Sequence, residues 1–117
     1  MPSSHDPADH VADIVENARR IAGYIAGMDR AAFAADGRTR DAVERCLERV
    51  CEAAQRLGDA AASLMPNQPW ADIRGMGNRL RHGYDRIDLD VIWHAVKDDV
   101  PGLEADASRV LARLRTR

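Results

Sequence analysis

Aromatic side chains are scarce in this chain: one phenylalanine, two tryptophans and two tyrosines make up 4 % of it. Runs of β-branched and aromatic residues in alternation are missing as well, which argues against a sheet-based fold. The apolar content (45 %) is mostly alanine and leucine, a composition that favours packed helices. No apolar run approaches the length needed to span a bilayer, and Met1-Pro2-Ser3-Ser4-His5 has none of the features of a signal peptide, so a cytoplasmic protein is expected. There is little net charge (−2), so the molecule as a whole is no polyanion binder, and any contact with nucleic acid must come from a local basic patch. Internal repeats, low-complexity segments and a glycine-rich phosphate loop are also absent.

Cysteine is limited to Cys46 and Cys51. Five positions apart on a helix, at ~100° per residue, they point roughly 140° from one another and cannot pair. They lack the C-x-x-C spacing of a zinc or redox site. Free thiols, one or both buried, suit a reducing compartment. No metal site and no cofactor is expected. A length of 117 residues fits one domain with a real core.

Residues 1–5 read as a disordered tail. A first helix is expected from Asp6, with Pro7 at an early helical position, carried to about Gly27 by Val11, Ile14, Val15, Ala18, Ile21, Ala22 and Ile25. His10, near its start, reads as exposed. Asp29 to Ala35 forms one or two turns with Phe33 inward, and Asp36-Gly37 marks a break. A long helix is then expected from Thr39 to Leu64, with Glu44, Arg45, Glu48 and Arg49 on a solvated face. Pro66-Asn67-Gln68-Pro69 is a loop. The next helix opens at Trp70, with Ile73, Met76 and Leu80 as its buried side and Gly83 beyond its end. Asp88 caps a further helix with Val91, Ile92, Ala95 and Val96, and Pro101 kinks or restarts it before a last amphipathic segment through Leu114. His94 reads as structural or surface. Short connections favour antiparallel neighbours, giving an all-α antiparallel bundle of four to five helices.

The stretch Trp70 to Asp85 concentrates the chemistry. Arg74, Arg79, Arg81 and Arg86 fall close together with only Asp72 and Asp85 to offset them. On a helix, Asn78 and His82 are one turn apart and ~40° apart in azimuth, with Arg79 ~60° away on the other side. Imidazole, amide and guanidinium on one polar face are the groups needed to hold a phosphodiester and move a proton. His82 falls in the last turn, a position suited to general acid or base work. Spacing alone does not separate such a site from a solvated arginine-rich face.

The run Gly75-Met76-Gly77-Asn78-Arg79-Leu80-Arg81-His82-Gly83-Tyr84, preceded by Trp70-Ala71-Asp72-Ile73, resembles the signature of HepT-like toxins, a branch of the HEPN superfamily (higher eukaryotes and prokaryotes nucleotide-binding). The resemblance extends over nearly the whole chain, through Arg38-Thr39-Arg40-Asp41-Ala42-Val43, Cys51-Glu52-Ala53-Ala54-Gln55-Arg56-Leu57 and Asp88-Leu89-Asp90-Val91-Ile92-Trp93. It implies a single HEPN domain over 1–117, a homodimer with its two motif helices facing each other across a cleft, and a metal-independent endoribonuclease that uses the substrate's own 2′-hydroxyl. The family's motif is Arg-Asn, three residues, His, then Tyr two further on; Asn78, His82 and Tyr84 match it. In the family that tyrosine receives AMP from a partner minimal nucleotidyltransferase, the antitoxin, so the resemblance implies Tyr84 as modification target and a larger complex with that partner.

One position departs: Gly77 stands where the motif has arginine. Losing a guanidinium aimed at developing phosphate charge could cost about 3 kcal/mol or more by analogy with oxyanion-hole deletions. Either the chain is a weak or inactive HEPN protein that serves a nucleotidyltransferase as an interaction subunit, or a neighbouring arginine fills the role. Arg81 and Arg74 flank position 77, Arg81 being the preferred replacement because helical side chains lean toward the N-terminus. Glycine at 77 is expected to leave room for such a side chain.

Overall fold

A computed structural model describes residues 6–83 and 87–116. The expected tail 1–5 lies outside them, as do Tyr84, Asp85, Arg86 and Arg117. The described residues contain helices and connecting turns and no strand. In order they form α1 (Pro7–Tyr24), α2 (Arg30–Ala35), α3 (Gly37–Leu57), α4 (Asp59–Leu64), α5 (Trp70–Arg81), α6 (Leu89–His94), a π-helical turn (Ala95–Asp99) and α7 (Val100–Arg115).

Aspartates start four of these elements. Asp6 accepts from the Ala8 N–H at 3.0 Å, with Pro7 in the first turn of α1. Asp29 accepts from the Ala32 N–H at 2.8 Å and Asp88 from the Asp90 N–H at 2.7 Å. Asp36 closes α2 and opens α3, accepting from the Thr39 N–H at 3.0 Å and the Thr39 hydroxyl at 2.7 Å, which holds its carboxyl below the usual range.

Two buried clusters show how the helices run. One joins Val11, Ile14 and Val15 of early α1 to Val50, Ala53 and Leu57 of late α3 and to Ala107 and Val110 of α7. The other joins Ala18, Ile21 and Ile25 to Val43, Cys46 and Leu47 of early α3 and to Val96 and Val100. Hence α1 is antiparallel to both α3 and α7. Ile14 and Ile21 are fully buried, each contributing about 1.5–3 kcal/mol through removal from water. Phe33 of α2 is fully buried with its ring 5.2 Å from that of Trp93. Both cysteines are buried and free. Among the described residues no helix is long and apolar enough to cross a membrane.

The structure corrects three readings and bears out a fourth. The long helix expected to Leu64 ends at Leu57, because Gly58 takes φ 56°, a conformation other residues adopt only with strain. Pro101 stands in the first turn of α7 and restarts the helix, as expected. The π turn before it absorbs one extra residue, with the Val100 N–H donating to the Ala95 carbonyl five residues back. His10 is buried, since α1 packs on two helices and leaves a narrower wet face than a surface helix has. The fully packed residues of α5 are Trp70 and Gly77, whereas Ile73, Met76 and Leu80 are half-buried. They pack against the edges of the two buried clusters.

Candidate functional site

The loop before α5 sets the helix in place. Its first residue, Trp70, is buried, and the indole N–H donates to the Met65 carbonyl at 2.8 Å. Helix α5 then crosses α3 with Gly77 at the closest point. A Cβ on residue 77 would lie 2.5 Å from the Cys51 Cβ, so only glycine fits without displacement. The expected room at this position does not exist: the space is taken by α3. Burial here pushes the Cys51 thiol up to about 11.

With Gly77 facing α3, the helical period divides the remaining side chains between two flanks. Arg74, Asn78, Arg81 and His82, at i, i+4, i+7 and i+8, occupy one. Ile73, Met76 and Leu80 occupy the other. There, Asp72, Ile73 and Met76 border a groove of about 370 Å³, closed on its far side by Asp98, Asp99 and Val100. Arg79 projects from the back of the helix into solvent.

On the polar flank the structure brings together most of the predicted residues. Asn78, Arg81 and His82 are exposed and Arg74 is half-buried. His82 is the closing residue of α5, and its N–H donates to the Asn78 carbonyl at 3.0 Å, which locks the two residues one turn apart. Arg74 donates through Nη2 to the Gly58 carbonyl at 3.1 Å, where α3 stops, an acceptor it shares with the Ala61 N–H at 3.2 Å. Arg81 donates through Nη2 to the Gln55 side-chain oxygen at 3.0 Å. Tyr84 lies outside the described residues. Gln55 and Gly58 escaped the sequence reading, because they come from α3 and the turn that ends it, and only the pairing of two helices reveals them.

The flank therefore offers two guanidinium groups, an amide and an imidazole on one solvent-facing strip, suited to an anion with a transferable proton beside it. Among the described residues no group of three or more His, Cys, Asp or Glu could hold a metal ion.

Comparison with known proteins extends this beyond one helix. The family model Ribonuclease HepT-like matches residues 14–110. A protein named "Probable ribonuclease HepT" from Thermococcus cleftensis is 33 % identical over 104 residues, covering 89 % of this chain and 93 % of its own length. A protein named "Putative RNase MJ1380" from Methanocaldococcus jannaschii is 32 % identical over 108 residues, covering 92 % of this chain and 99 % of its own. No solved structure matches significantly. The match takes in the helices that carry the polar flank and those that seat it, and the chain belongs to the HepT-like ribonuclease family.

Proposed function

We propose that this chain is the toxin of a toxin–antitoxin pair, an endoribonuclease silenced when a partner minimal nucleotidyltransferase transfers AMP to Tyr84. The observation that carries the reading is the pairing of Asn78 and His82, one turn apart on an exposed flank with Arg81 beside them. In the reaction the substrate's 2′-oxygen attacks the adjacent phosphorus while its proton passes to a base. The bond to the 5′-oxygen breaks as that oxygen takes a proton, leaving a cyclic phosphate and a 5′-hydroxyl. His82 is the proton carrier, Asn78 orients the phosphodiester, and Arg81 with Arg74 offsets charge on the phosphoryl oxygens. Arg79, on the back of α5, meets flanking phosphates. A homodimer that sets two such flanks face to face supplies two imidazoles, one for each proton transfer.

A second reading is favoured by Gly77. With glycine packed on Cys51, the motif's guanidinium is missing, as in a HEPN protein that has become an interaction subunit for the nucleotidyltransferase.

Growth arrest and RNA cleavage on expression of the wild type, His82→Ala and Tyr84→Phe decide between them. The toxin reading expects arrest that needs His82 and a Tyr84→Phe protein that stays toxic beside its partner. Arrest independent of His82 sinks the ribonuclease assignment, and no arrest with stable binding to the nucleotidyltransferase supports the second reading.

A further inference from the structure

Several arginines on the exposed helix faces of this protein are neutralised by a carboxylate. Arg20 sits against Glu16, Arg45 against Glu48, Arg56 against Glu52 and Arg109 against Asp106. Arg81 differs. Among the described residues it has no carboxylate partner, and the group that holds it is the neutral side chain of Gln55, at 3.0 Å. An amide oxygen fixes a guanidinium without cancelling its charge, and the remaining N–H donors stay available. Arg74 is placed otherwise: its bond to the Gly58 carbonyl stitches α5 to the end of α3. Gly77 completes the arrangement, because the close contact with Cys51 brings α5 near enough for Arg81 to reach Gln55.

We infer that Gln55 is a positioning residue for anion recognition, holding the Arg81 guanidinium beside Asn78 with its charge uncompensated. This rests on the reading of the polar flank as an RNA-phosphate site. A residue at this position must accept a hydrogen bond and carry no charge. Glutamine satisfies both conditions. Glutamate would hold Arg81 equally well and neutralise it, and methionine would keep the helix while releasing Arg81.

The test measures binding of a fully 2′-O-methylated RNA oligomer, which has no 2′-hydroxyl to react, to the full chain across a salt series. For Gln55→Glu, affinity at low salt is expected to fall roughly tenfold, and the slope of log K against log salt to become shallower by about 0.7, the increment of one single-strand phosphate contact. Gln55→Met is expected to weaken binding less. In an Arg81→Ala background neither change should have further effect, which separates positioning from a general effect of added negative charge. Thermal unfolding of each variant checks that the fold is intact. If Gln55→Glu leaves affinity and slope unchanged while Arg81→Ala weakens binding, this inference is overturned and the RNA site stands. If Gln55→Glu has the same effect with and without Arg81, the inference is likewise overturned. If Arg74→Ala and Arg81→Ala both bind as the wild type does, the RNA-site reading itself fails.

Discussion

A methyl group is the smallest addition that can be made to Gly77, and it would meet the Cys51 Cβ at 2.5 Å. Gly77→Ala is therefore expected to destabilise the fold by roughly 1–3 kcal/mol in urea unfolding, as overpacking of a tight seam does. The partner substitution sharpens the expectation. Cys51→Ala keeps the offending Cβ and should give no relief, whereas Cys51→Gly removes it and should show a favourable coupling in a double-mutant cycle. Cys51 also gives the seam a pH dependence. Its thiol is pushed from the ordinary 9.0 up to about 11 by burial, so the unfolded chain releases that proton first as pH rises. Stability is expected to be unaffected by this group below about pH 9 and to fall between about 9 and 11, a loss that Cys51→Ser would blunt. At this scale the sequence was legible as a departure from a motif. Its physical reason was not, because the register of α5 on α3 is a property of two segments far apart in the chain.

Glycines in the helical elements divide by conformation. Gly58 adopts φ 56° and separates α3 from α4. Gly102, inside α7, has a helical backbone and open space where a Cβ would stand. Alanine at the two positions should act in opposite directions: Gly58→Ala costs about 1 kcal/mol or more, and Gly102→Ala stabilises by roughly 0.5–1 kcal/mol, both read from denaturant midpoints. Periodicity made α1, α2 and α5 legible almost to their ends, with aspartate caps and prolines marking the boundaries. It carried straight through Gly58 because the apolar stripe of α3 continues in phase into Ala61 and Leu64, and a three-to-four spacing contains no record of one left-handed residue. The π turn was hidden for a similar reason. Its side chains are ordinary helix formers, and the backbone shift that accommodates Pro101 leaves no mark in composition.

Over the whole molecule, the core and the polar flank draw on separate residues. His82 is exposed at the end of α5 and belongs to neither buried cluster. His82→Ala should change unfolding free energy by less than about 0.5 kcal/mol while removing RNA cleavage, measured on the same preparation by urea titration and by electrophoresis of cleaved RNA. The all-α architecture was legible because its apolar stripes fit helices and no strand pattern competed. Asn78 and His82 were legible because both lie on one helix, where four positions make one turn. Gln55 was not, since its bond to Arg81 depends on how α5 docks against α3.

Helix α5 stands as a partition, with a groove against one side and the polar strip against the other. At ~100° per residue, Ile73, Met76 and Leu80 repeat roughly 130° out of phase with Arg74, Asn78 and Arg81. Neighbouring codons therefore answer to different demands. A substitution scan through this helix would return two interleaved signals of the same period: one position asks for volume and greasiness, and the next asks for a donor and a charge. Drift on the groove side can proceed without touching the polar side, so a new binding preference could evolve in the groove while the neighbouring chemistry is held fixed.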